Sequence, residues 1–206
     1  MRPNRFCTTV VFVQSFLPAG GPFSGHALAQ EAPSPPPPAI TESAHPPIQT
    51  IDSLFESLRK ERDAVKARNL ANQIVSEWND SGSATINLLM QWASEASDEK
   101  RSAAAYDFLD QIILLDPDYA QAPYRRAMVH FGDGDTRKAM ADINLTLEQE
   151  PRHFPAMASL ANILEASGRD ELALKAWERY LAVYPADKEA RKEASDLTEK
   201  LAGTRS

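Results

Sequence analysis

Apolar and polar positions alternate along most of this chain with the period of a helix. Ala190, Ala194, Leu197 and Leu201 recur at i, i+4, i+7 and i+11 with Lys, Glu, Arg and Asp between them, the stripe of an amphipathic helix. Ala105, Ala139 and Ala173 are each followed four residues later by a large apolar residue, Leu109, Ile143 and Trp177. Ala93, Ala127 and Ala161 mark the preceding helix in each case. Polar turns at Gly132-Asp-Gly-Asp135 and Ser167-Gly-Arg-Asp170 divide the stripes, and glycine there can take the positive φ that closes a helix end. The pattern predicts antiparallel helical hairpins in which alanine lets two helices cross closely.

The hairpins recur at a fixed interval. Pro117, Pro151 and Pro185 are evenly spaced, each closing a related segment: Leu114-Leu-Asp-Pro117, Glu148-Gln-Glu-Pro151 and Ala182-Val-Tyr-Pro185. Proline cannot continue a helix, so it ends one hairpin and starts the next. With units at 86–119, 120–153 and 154–187, the chain resembles the tetratricopeptide repeat (TPR) family, whose unit is about 34 residues long. The family's large fourth position reads Leu89, Pro123 and Met157, and its leucine-type seventh position reads Trp92, Arg126 and Leu160. The resemblance implies an all-α fold, a right-handed TPR-type superhelix (solenoid) of antiparallel helical hairpins. One unit earlier, Phe55, Leu58, Ala71, Val75 and Trp78 fall in repeat positions, while Arg59 and Arg62 break the pattern. Residues 52–85 are therefore expected to form a degenerate first repeat, with Ser53 and Glu56 spaced as a capping box. Residues 188–201 are expected to cap the open end of the stack, as repeat arrays require. The repeat domain is thus expected to span 50–203.

Proline divides this region from what precedes it. Ten of the 15 prolines stand before residue 48. Arg2 and Arg5 precede an apolar stretch from Cys7 to Leu17, and Ala27-Leu-Ala29 offers a small-x-small exit, the pattern of a secretory signal peptide over 1–29. Residues 30–49, with Pro33-Ser-Pro-Pro-Pro-Pro38, read as a proline-rich disordered linker, an extended spacer. A periplasmic location is expected; the alternative is a cytoplasmic protein with a disordered N-terminus. No apolar run approaches the ~20 residues of a membrane span. A net charge of −7 speaks against a nucleic-acid binder, which needs surplus Lys and Arg. The single cysteine, Cys7, excludes an internal disulfide.

Candidate chemistry is sparse. Asp133 and Asp135 resemble the opening of a calcium loop, but Asn144 stands where the twelfth-position Glu is required. No Cys or His lies three or four residues from His130 or His153, so zinc spacing is absent. His130 reads as a core histidine bonded between helices, and His153 as a solvated loop residue. Asp107, Asp110, Asp142 and Glu178 read as solvated helix faces, and Trp78, Trp92 and Trp177 as packing residues. No nucleophile elbow or phosphate loop is present. The expectation is a protein that is not an enzyme and holds no metal or cofactor.

What remains is a binding module whose partner is a protein or peptide. In the family that the chain resembles, the first helix of each hairpin lines a concave groove. Carried over, that places Asn87, Met90 and Ser94, then Gln121, Tyr124, Met128 and Phe131, then Ala158, Asn162 and Glu165 on the groove, with Arg125 and Arg126 beside them. The expected partner-binding set is Met90, Ser94, Tyr124, Arg125, Met128 and Asn162; Met128 and Phe131 could equally be packing between repeats. Some family members clamp a peptide's terminal carboxylate with Lys, Asn and Arg. Here Met90, Ser94, Pro155 and Ser159 stand at those sites, so that clamp is absent. Two functions stay open: an adaptor binding a peptide or protein through the groove, or an assembly component of a cell-envelope complex that uses its outer face or ends.

Overall fold

A computed structural model describes residues 50–203, and the signal-peptide and linker expectations lie outside them. The described residues form α1 (Ile51–Lys60), α2 (Ala64–Asn79), α3 (Ala84–Asp98), α4 (Ser102–Leu115), α5 (Gln121–Gly132), α6 (Thr136–Gln149), α7 (Phe154–Ala166), α8 (Asp170–Val183) and α9 (Lys188–Gly203). None of these helices is long and apolar enough to cross a membrane.

Three hairpins, α3–α4, α5–α6 and α7–α8, stack in sequence, and α9 packs on α8. Ala93, Ala127 and Ala161 on the first helices and Ala105, Ala139 and Ala173 on the second are all buried. A larger side chain at these crossings would push the helices apart and cost about 1–3 kcal/mol. Each second helix stops two residues before its proline, at Leu115, Gln149 and Val183. The turn inside each hairpin repeats at the level of the backbone. Lys100, Gly134 and Gly168 stand one repeat apart and have φ of 59°, 81° and 70°. The amide after each, on Arg101, Asp135 and Arg169, donates to a carbonyl five residues back, on Ala96, His130 and Leu164. This is a glycine-type helix closure, and in the first hairpin a lysine occupies it.

The N-terminal hairpin departs from the expected stack. α1 and α2 form a hairpin, but it packs against α8 and the loops between repeats, and it makes no substantial contact with α3. The break falls at 61–63, because Asp63 caps α2 by accepting from the amides of Val65 and Lys66. The capping box at Ser53 and Glu56 does not form. Helix α1 starts after Thr50, whose hydroxyl accepts from the Ser53 amide, and Glu56 pairs with Lys60. Leu54, Phe55, Leu58, Ala71 and Ile74 join one apolar core with Phe154, Tyr180 and Tyr184 of the third unit. Aromatic contact draws the hairpin to this edge: Trp78 lies 5.6 Å from Phe55, 5.5 Å from Phe154 and 4.4 Å from the His153 ring. The Arg152 guanidinium covers Phe55 and pairs with Asp52 at 2.7 Å. Arg59 and Arg62, which occupy repeat positions that must be buried, stay largely open to solvent.

His153, expected in solvent, is fully buried at the centre of this junction. Its Nδ1 accepts from the Ala156 amide and caps α7. That leaves Nε2 to carry the hydrogen and donate to Gln121 Oε1 at 2.9 Å. Gln121 Nε2 in turn donates to Asn79 Oδ1 at the end of α2. One neutral imidazole therefore ties α2, α5 and α7 together. Burial pushes its pKa down to about 4.

Two outcomes follow from this geometry. Lys100→Gly should raise stability by about 1 kcal/mol, because glycine removes the left-handed strain at the cost of a looser unfolded chain; chemical denaturation measures it, and an unchanged midpoint refutes it. His153 takes a proton near 6.5 when unfolded but only near 4 when folded. Falling pH through that window therefore favours the unfolded chain, by up to roughly 3 kcal/mol at its acid end. Thermal melts from pH 7 to pH 4 should show this loss in the native chain. His153→Asn, which keeps a capping oxygen, should show a flatter profile over the same range.

Candidate functional site

The first helices α3, α5 and α7 carry the groove positions. Each is held by its start: Ser83 caps α3, His153 caps α7, and the buried Gln121 begins α5. Four of the six expected residues come together. Met90 and Ser94 of α3 and Arg125 and Met128 of α5 line one small hollow with Ser97, Asp98 and Leu109. Met90 and Met128 are half-buried, while Ser94 and Arg125 are exposed. Ser159 of α7 approaches the Met128 sulfur at 3.7 Å, so that methionine both lines the hollow and packs between repeats.

The other two lie elsewhere. Tyr124 is half-buried and packs on the core with its ring 4.7 Å from His153, so it belongs to the junction with α2. Asn162 is exposed and lines a second hollow with Ala158, Tyr180, Asp187, Glu189 and Glu193. The carboxylates come from the end of the third unit and from α9. The cap helix thus supplies groove residues as well as closing the stack, a role its polar stripe alone did not reveal. Asp187 accepts from the Tyr180 hydroxyl at 2.6 Å, and burial with this bond pushes the phenol above its ordinary range. Asn87 is occupied in the turn before α3, accepting from Ser81 and donating to Asp80. Phe131 is half exposed at the far end of α5.

Helix α2 reaches the groove rim, where Arg125 donates to Asn79 Oδ1 at 3.3 Å. The residue is otherwise exposed. Arg126, one residue on, points away from the hollow and is spent on structure. It forms a two-pronged pair with the buried Asp142 at 2.9 and 2.7 Å and also reaches Asp110 of α4. Asp142 is therefore not the solvated acid expected from its helix spacing. The reason is that Arg126 replaces the usual apolar seventh residue and needs a buried partner. His130 lies between helices, stacked on Tyr106 at 4.5 Å, but Asp142 at 3.8 Å is too far for the hydrogen bond expected of it. Trp177 is buried, Trp78 is half-buried, and Trp92 is 42% exposed. Among the described residues no group of His, Cys, Asp and Glu could hold a metal ion.

No protein-family model matches the chain. A TPR repeat-containing protein of Rhizobium etli is 57% identical over 159 residues, which cover 77% of this chain and 78% of that protein. Among solved structures, the first TPR of Spaghetti bound to HSP90 peptide SRMEEVD aligns with a TM-score of 0.52 and 23% identity, over 57% of this chain and 94% of that one. MamA aligns with a TM-score of 0.52 and 16% identity, over 72% of this chain and 84% of that one.

Proposed function

The chain belongs to the tetratricopeptide-repeat family, and from that premise we propose that it is a non-enzymatic adaptor that holds a peptide or protein partner in the groove of α3, α5 and α7. The observation that carries this reading is the hollow between α3 and α5, where Met90, Ser94, Arg125 and Met128 converge. Methionine side chains adapt to varied apolar partners, and the neighbouring arginine supplies a polar anchor. The groove changes character along its length. Towards α9, Asp187, Glu189 and Glu193 surround Asn162, which suits a basic side chain. The Spaghetti domain holds a peptide, which supports a groove-bound peptide here. The residues at the carboxylate-clamp sites nonetheless favour a differently anchored sequence: an apolar side chain on the methionines and a Lys or Arg near α9.

We also read Arg2, Arg5, the Cys7–Leu17 stretch and Ala27–Ala29 as an export signal, placing the adaptor in the periplasm. A fusion of residues 1–35 to an export reporter tests this, and a reporter that stays inside the cell returns the protein to the cytoplasm.

Ser94→Arg, a bulky charge on an exposed wall of the first hollow, should weaken capture of the partner from an envelope fraction. The loss expected at a groove hot spot is about 2 kcal/mol or more, with the melting temperature unchanged. Glu189→Lys with Glu193→Lys should weaken it independently. Undiminished capture by both variants moves the binding site to the outer face or the ends.

A further inference from the structure

Resting on the groove reading above, we propose that the partner is an extended peptide segment read at two points in fixed register. An apolar side chain enters the hollow between α3 and α5, and an arginine, about six residues away along extended backbone, enters the hollow between α7 and α9.

The second hollow holds what an arginine answers. Of its three carboxylates, Asp187 is already occupied. One of its oxygens accepts from the Tyr180 hydroxyl, and the other accepts from the Glu189 and Ala190 amides at the start of α9. Glu189 and Glu193 are not engaged in this way. Lys192 and Lys200 of the same helix pair with Asp196 and Asp170, and Glu193 is half-buried. The two glutamates stand four residues apart on one helix face, where like charges repel. A compact ammonium meets only one of two carboxylates a helical turn apart. A planar guanidinium has donors on opposite edges and spans both. The chain uses the same solution within its own fold, where Arg126 bonds to both Asp110 and Asp142. Asn162, exposed across the hollow on α7, adds an amide oxygen.

Trp177 points to a ligand in the same place. It is 6% exposed and lines the hollow, and its indole nitrogen has no hydrogen-bond partner among the described residues. A buried donor without an acceptor is a standing cost. A segment laid across the hollow brings main-chain carbonyls to it, which a free cation does not. The sizes agree with this division: about 340 Å³ between α7 and α9 takes a long side chain with its backbone, and about 90 Å³ between α3 and α5 takes one apolar side chain.

The register follows from helix packing. Helices α3, α5, α7 and α9 follow one another along the stack, and packed neighbours lie about 8–10 Å apart. The two hollows are two such steps apart, so roughly 20 Å of extended chain, about six residues, joins them.

Selection of a random peptide library on the full chain tests this. Enriched peptides should combine an apolar residue with an arginine at a separation of about six. For one such peptide, fluorescence anisotropy should show affinity falling about tenfold or more when its arginine becomes glutamine, and by less when it becomes lysine. Glu189→Gln with Glu193→Gln should bind all three versions alike, with the melting temperature retained. An enriched motif without arginine at a fixed spacing overturns the proposal, as does a double variant that still discriminates. Ser94→Arg then separates the two readings. If it abolishes binding of that peptide, the groove stands and only the arginine site falls; if it does not, the groove reading falls as well. A library with no enriched peptide overturns recognition of an extended segment and leaves the groove to be tested by capture of the whole partner.

Discussion

The close crossing of helices at buried alanines is the constraint on which the rest of this structure depends. Ala93, Ala127 and Ala161 on the first helices and Ala105, Ala139 and Ala173 on the second are buried in all three hairpins. A methyl group is all that fits when two helix backbones approach within packing distance. Because those alanines recur once in every repeat, each hairpin has the same shape and stacks on the last in the same way. The groove is a consequence: equivalent helices α3, α5 and α7 fall side by side, and their outward positions form a continuous surface.

A second, aperiodic interaction sits on this frame. The His153 imidazole caps α7, donates to Gln121 and stacks on Trp78. Ring pairs of this kind add about 0.5–1.5 kcal/mol each beyond their buried area. Trp78 makes three such contacts. That is enough to bind a hairpin whose own sequence, with Arg59 and Arg62 in place of small and aromatic residues, cannot stack as a repeat. The hairpin closes the edge of the second and third units, and its last residue, Asn79, holds the groove arginine Arg125 at the rim.

These two arrangements divide the surface. The side formed by α3, α5 and α7 carries methionines at one end and, with α9, carboxylates at the other. The first unit, relieved of a preceding hairpin, presents Leu88, Trp92 and Leu115 to solvent. Exposed aromatic and aliphatic residues that share one face mark interaction surfaces in soluble proteins.

The sequence by itself determined everything that repeats. Hairpins, turns, terminating prolines and buried alanines each depend on local chemistry at a fixed spacing, and comparing the chain with itself one unit along exposes them. It also determined Met90, Ser94, Arg125 and Met128 as neighbours, because groove positions follow from the phase of the helices. Only the tertiary structure decided what breaks the period. Phe55 and Trp78 sit in repeat positions, but their rings find better partners in Phe154 and His153 than in α3 and α4. His153 has no periodic signal, and nothing local distinguishes a buried capping histidine from a solvated one; its burial depends on α2, which lies two full repeats earlier in the chain. Tyr124 left the groove for the same junction, and Asp142 left the surface once Arg126 needed a partner across the hairpin. A local pattern can state which face a side chain occupies. Whether that face meets solvent is decided by what else the chain brings to it.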